Sequence, residues 1–381
     1  MKTRIWLVAG IIMIFLLNGN SSSYAQVGSI AQANVQKKLP METLKVSPGF
    51  QLSIYANNVP EARQLAVGDK GTVFVGSLKS GNVYALVDKD QDSVADERIT
   101  IATGLKQPAG VAFKDGTLYI AAIDQIVRMD KIEENLKLPG QPVLVTNDLP
   151  KDEWNGLKYI KFGPDGKLYV SIGSPCNACV KEEDERYGTI MRMDTDGKNA
   201  EIVAKGIRYS LGFDWQPETN ELYFSDIGRD LLGDDSPPEE LNGVTKEGMH
   251  FGFPYCHGKA VSDPEFGSEH KCEEFTGPKY ELAPRVMPMG IHFYRSNKFP
   301  ESFTGRLFVA EHGSWDRPQK VGSALGVARF KSYDRTSYAN LAFGWIIENE
   351  SWGQPVDVVE LPDGSMLMSE DQLGTIYRLG F

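Results

Sequence analysis

The sequence predicts an all-β fold, a six-bladed β-propeller, and three observations predict it. A turn followed by an alternating strand recurs six times: GTVFVGS (71–77), GTLYIAA (116–122), GKLYVSI (166–172), NELYFSD (220–226), GRLFVAE (305–311) and GSMLMSE (364–370). Each copy has an apolar run before it and another after it, as where KYIKFGPDG precedes the third copy and GTIMRMD follows it. No long amphipathic helix appears after residue 26, which argues against α/β barrels and doubly wound sheets. A sheet of three or four such strands has two apolar faces and cannot bury both alone. Copies therefore stack, and radial stacking gives a propeller.

Taken in chain order, the first segment is an address. Lys2 and Arg4 precede an apolar stretch from Ile5 to Leu17, and Ser23-Tyr24-Ala25 places small side chains at the −3 and −1 positions. Residues 1–25 thus read as a secretory signal, too short to span a ~30 Å hydrocarbon core. Residues 26–45 read as a flexible lead-in, and 46–381 as one propeller domain. The run GFQLSIYA (49–56) has no partner nearby, whereas the last copy has only three strands. That N-terminal strand is expected to complete the last blade and close the ring, which removes a free sheet edge. The copies start 45, 50, 54, 85 and 59 residues apart. The long interval holds a segment, 227–290, where Gly, Pro, His and acidic residues replace strand pattern. Asp-Gly pairs between apolar runs are hairpin signals, and 38 Gly with 21 Pro suit many tight turns.

Composition bounds the partners. With 40 Lys+Arg against 51 Asp+Glu the net charge is −11, which argues against nucleic acid. No stretch after the leader is long and apolar enough to span a membrane. Export to a periplasmic or secreted location makes the four cysteines read as two bridges, Cys176–Cys179 and Cys256–Cys272. Zinc binding, a redox C-x-x-C and haem attachment are weaker alternatives, since the spacing is irregular, the motif follows a strand, and Val180 follows Cys179.

In a propeller, the loops after the repeated strands surround the central channel. Arg63 and Arg208 open two of the innermost runs, so each needs an anion or carbonyl partner; a structural ion pair is the plain alternative. His312, in AEHGSWDRP beside Trp315 and Asp316, could be a general base or ligand, or simply a packed histidine. His250 and His257 read as loop packing. Asp88, Asp90, Asp92 and Asp96 have the carboxylate spacing of a calcium loop, but Ser93 replaces the turn glycine and Ile99 the bidentate Glu. The choice there lies between a structural Ca²⁺ site and a solvated turn. There is no G-x-G-x-x-G, G-x-S-x-G, Walker loop or H-E-x-x-H.

The runs KYIKFGPDGKLYVSIGSPCNAC, GFDWQPETNELYFSDIGRDLLGDDSPPEELN, HFGFPYCHG and FVAEHGSWDR, in this order, resemble the glucose/sorbosone dehydrogenase family. The resemblance covers nearly everything from about residue 43. It implies an exported six-bladed propeller related to soluble quinoprotein glucose dehydrogenases. The implied chemistry is oxidation of a sugar alcohol or aldehyde by pyrroloquinoline quinone (PQQ), with a Ca²⁺ polarising its carbonyls and a histidine taking the hydroxyl proton. Residue by residue, Arg208 matches the family's G-x-R-N arginine. Gly228 and Arg229 match the turn whose backbone carbonyls hold the catalytic Ca²⁺, and His312 matches its E-H-G-S-W. Arg63, Arg208, His312 and Trp315 would contact the cofactor. Four positions depart: Trp154-Asn155-Gly156 stands where relatives carry the base histidine, Tyr209 replaces Asn, Ala109 replaces Asn, and Gln354 replaces Arg. His312 or Asp226 would then substitute as the base. The chain carries no haem domain, so electrons would leave to a separate acceptor. The alternatives are a non-catalytic binding propeller and, by fold analogy, a calcium-dependent lactonase.

Overall fold

The computed structural model describes residues 39–330 and 336–381; the signal and most of the lead-in lie outside the described residues. Six antiparallel sheets follow one another in chain order. Their innermost strands are Leu65–Val67, Gly110–Lys114, Ile160–Phe162, Phe213–Trp215, Pro288–Phe293 and Pro355–Glu360. The six repeated sequences form the second strands, from Val73–Val75 in blade 1 to Met366–Glu370 in blade 6. Among the described residues the only helices are four single 3₁₀ turns, and none is long and apolar enough to cross a membrane.

Local sequence explains the hairpins. Asp115 (φ 49°) and Gly116 (φ 76°) both lie in the left-handed region and join Gly110–Lys114 to Thr117–Ala121. Such turns twist in the same sense as the strands they connect.

Six buried apolar clusters lie one at each blade interface. Phe74 and Ile120 belong to the 1–2 cluster, Ala121 and Val170 to 2–3, Phe213 and Ile190 to 3–4. Tyr223 and Phe293 belong to 4–5, Phe308 and Tyr377 to 5–6, and Leu367 and Val73 to 6–1. Six interfaces for six blades make a closed ring. The closure is the expected one: Gln51–Ala56 pairs antiparallel with Thr375–Gly380, Leu52 opposite Leu379 and Ile54 opposite Tyr377.

Two strands extend blades beyond the expectation. Lys45–Val46 pairs with Ser337–Phe343 on the edge of blade 5, with Met41, Leu44 and Val46 packed on its core. Met249–His250 adds parallel to Glu201–Lys205 on blade 3. The 227–290 segment supplies the third and fourth strands of blade 4, Glu239–Val244 and Tyr280–Leu282. Both expected disulfides are formed, with Cα–Cα distances of 6.1 Å for Cys176–Cys179 and 5.5 Å for Cys256–Cys272.

Candidate active site at the propeller mouth

Each first strand runs away from one face of the ring and each second strand returns to it. The loops after the second and fourth strands therefore gather on that face. Blades 6 and 1 meet there through an ion pair: Arg63 Nη1 donates to Asp371 Oδ2 at 2.7 Å. Blade 5 joins them, with His312 Nε2 at 3.2 Å from both Asp371 oxygens. An ionised carboxylate only accepts, so this bond puts a proton on Nε2, and in that tautomer Nδ1 is the accepting nitrogen. Nδ1 faces the Gln354 side-chain amide at 3.5 Å. Burial alone would raise the Asp371 carboxyl, but His312 and Arg63 outweigh it and hold it down at about 2.

On the opposite side of the mouth Arg208 is saturated. Its guanidinium donates to Asn177 O, Asn177 Oδ1, Ile227 O and Asp230 Oδ2, the last at 2.6 Å. Between the two arginines lies an apolar floor of Leu157, Tyr209, Leu211, Ile227, Met289 and Val356, drawn from several blades. Arg63 Nη2 touches this floor at the Met289 sulfur, 3.6 Å away. Burial pushes the Tyr209 hydroxyl up to about 12, so it stays neutral. Tyr209 packs on this apolar cluster, whereas Trp154 is 53% exposed at the rim.

Asp226, the other expected substitute base, is engaged by the backbone of the Arg208–Tyr209 loop. Its carboxylate is buried and accepts the backbone N–H of Arg208 (3.0 Å) and Tyr209 (2.8 Å), so it fixes the loop rather than facing a ligand. Glu239 has the same task, accepting from Gly228 N at 2.7 Å and Arg285 N at 3.1 Å. Burial pushes Asp226 and Glu239 up to about 7 and Glu240 up to about 8.

Sequence reasoning missed Lys158. It is buried and its ammonium has one partner, Gly156 O at 2.9 Å. Burial pushes it down to about 8, against the opposing pull of Asp152. The only signal was a lysine interrupting an innermost apolar run. Asn155 is turned away to the Ser174 carbonyl at 3.0 Å.

The family model for Glucose / Sorbosone dehydrogenase matches residues 122–314. An uncharacterized protein of Borreliella burgdorferi is 36% identical over 353 residues, covering 88% of this chain and 90% of that protein. This chain belongs to the glucose/sorbosone dehydrogenase family. Solved structures similar to this family member share its fold. The Trichoderma reesei family AA12 enzyme superposes with a TM-score of 0.76 at 17% identity, covering 88% of this chain and 97% of that one. The PQQ-bound aldose sugar dehydrogenase of Streptomyces coelicolor gives 0.62 at 19%, covering 88% and 99%.

Within this dehydrogenase-family chain the other expected positions scatter. Trp315 is 58% exposed at the rim. Arg229 binds Asp263, which also holds His257 at 2.8 Å. The carbonyls on either side of Gly228 are engaged: Arg229 O accepts from Arg285 Nη1 at 2.8 Å and Ile227 O from Arg208 Nη1 at 3.2 Å. This geometry does not favour the metal role expected for Gly228 and Arg229. At the outer end of blade 1, Asp88, Asp90 and Asp96 bring carboxylate oxygens within 4.8 Å of one another. Asp92 is not among them and caps Val94 N instead. Ser93 adopts φ 76°, the conformation expected of the missing glycine.

A separate cavity of about 300 Å³ lies between blades 3 and 4, lined by Asp165, Tyr169, Arg192, Trp215 and Glu247 among others. It shares no residue with the mouth, and its Arg192 is tied to Glu201 and Glu247.

Proposed function

We propose that this chain is an exported sugar dehydrogenase that oxidises a sugar alcohol or aldehyde at the propeller mouth, with PQQ as organic electron acceptor. Family membership supports the substrate class. The observation that carries the chemistry is the line Arg63–Asp371–His312, which leaves one imidazole nitrogen as an acceptor at the mouth. The two disulfides support a periplasmic or secreted location.

A planar anionic quinone needs a flat apolar surface and cations with donors to spare. Tyr209, Leu157 and Met289 supply the surface. Arg63, which gives one nitrogen to Asp371 and another only to a thioether, and Lys158, with a single carbonyl partner, supply the cations. Those residues fit the quinone. Calcium is disfavoured in the 227–236 turn because the Arg285 guanidinium already holds the Arg229, Gly233 and Ser236 carbonyls, and no step is assigned to a metal.

PQQ, when bound, would take the carbon-bound hydrogen of the substrate with its two electrons, as a hydride. The protein does the rest. His312 Nδ1 accepts the substrate hydroxyl proton. Asp371 fixes the ring and stabilises the imidazolium, and Arg63 keeps Asp371 ionised. The apolar floor keeps water from beneath the reacting face. Electrons then leave to a separate acceptor. A sugar-binding propeller without redox chemistry is the second reading, favoured by Arg208 spending its donors internally. Absorbance titration with PQQ, followed by dye reduction over a sugar panel, separates them. Saturable PQQ binding with sugar-dependent turnover is expected; sugar binding without PQQ binding selects the second reading.

A further inference from the structure

We infer that the guanidinium of Arg285 occupies the cation position of the 227–236 turn, so that the mouth of this propeller is organised by an arginine in place of a calcium ion. Its Nη1 donates to Arg229 O at 2.8 Å, and its Nη2 to Gly233 O and Ser236 O at 3.1 Å each. Its Nε also reaches Gly233 O at 3.3 Å. Asp230 and Asp316 each lie 3.8 Å from it. Three carbonyls and two carboxylates around one guanidinium make an oxygen-rich surround of the kind a hard cation takes. Here the centre is a side chain that is 4% exposed.

The placement is enforced from behind. Glu239 accepts from the backbone N–H of both Arg285 and Gly228, so one carboxylate ties the arginine to the turn. Arg285 itself sits at φ 68°, a left-handed conformation that a non-glycine residue adopts only when its surroundings hold it. Calcium needs six to eight oxygens at about 2.3–2.6 Å. Arg229 O and its neighbours cannot approach an ion that closely while donating partners hold them, and the guanidinium charge repels it. One oxygen is left over: Asp316 Oδ1 is buried without a partner. Removing the arginine would free that whole oxygen set.

The test uses the whole chain carrying Asp90→Asn and Asp96→Asn, which silences the outer acidic loop on blade 1. Calcium binding is measured by calorimetry and terbium luminescence, without cofactor or sugar. This parent is expected to bind no calcium, and its melting temperature is expected to be the same with calcium or chelator. Adding Arg285→Ala is expected to create one calcium site, at least 100-fold tighter than the parent, with a melting temperature that rises on adding calcium. Arg285→Lys, which keeps the charge, is expected to bind none. Stoichiometric calcium binding by the parent overturns the inference, and that arm stands even if Arg285→Ala fails to fold. A folded Arg285→Ala chain that gains no site also overturns it. None of these readouts needs sugar oxidation, so they succeed or fail separately from the dehydrogenase reading.

Discussion

Arg63 and Asp371 are 308 residues apart in sequence and 2.7 Å apart in space. That contact joins the first blade to the last across the ring closure and holds the carboxylate against which His312 is set. Asp371→Asn keeps the shape but leaves Arg63 without its counter-charge. Breaking a buried ion pair costs about 3–5 kcal/mol, reduced here by the partial exposure of Asp371 at the mouth. Thermal denaturation should show a clear drop in melting temperature, and any sugar-oxidising rate should fall with it. An unchanged melting temperature would mean that the pair is not formed.

Stability should be greatest on the acid side of neutrality. Asp226, Glu239, Glu311, Asp357 and Glu370 are raised by burial to about 7, and Glu240 to about 8. The folded state therefore keeps protons that the unfolded chain has released above about pH 4–4.5, and stability falls as pH rises towards 8. Asp371 and Asp263 are held at about 2. Their contribution is present above pH 4 and is lost as pH falls through 2. Scanning the melting temperature from pH 3 to 9 should give a maximum near pH 5. A curve that rises steadily from pH 5 to 8 would show that the buried carboxyls are ionised.

Much of this architecture was legible in the sequence because it depends on local, repeated signals. The six strand copies, the partnerless GFQLSIYA and both cysteine pairs all took their expected places. What escaped depends on distant pairing. Asp371 meets Arg63 and His312 only once the ring closes. Arg285 lies in APRVMP, which carries no periodicity, and its partners are backbone carbonyls that no sequence displays. Lys45–Val46 is too short to alternate. The loop-capping bonds of Asp226 were not legible either, because a carboxylate at a strand end looks the same whether it caps a loop or faces a ligand.

Ring closure can be tested by cutting it. Replacing Tyr377, buried between blades 5 and 6, with Ala should cost about 3–5 kcal/mol through the cavity left behind. Deleting Gln51–Ala56 exposes the edge of Thr375–Gly380 and should produce concentration-dependent aggregation by light scattering. A monomeric deletion variant of wild-type stability would contradict the closure.

The Cys256–Cys272 bridge spans 16 positions, so Cys256→Ser with Cys272→Ser should cost about 3 kcal/mol in the chain-entropy picture. Denaturant titration checks this. The Cys176–Cys179 bridge encloses Asn177, which holds Arg208. Its removal should loosen ligand binding at the mouth more than it lowers global stability, measured by comparing PQQ affinity with the unfolding midpoint.

The most direct measurement is the PQQ-dependent rate of sugar oxidation in the wild-type chain against His312→Ala and His312→Gln. With PQQ bound equally by all three, loss of the base should lower turnover about 10²–10⁴-fold and remove the histidine limb of the pH–rate profile. Equal turnover in the variants, with that limb intact, would contradict a proton-accepting role for His312 and leave the Arg63–Asp371–His312 line as scaffolding.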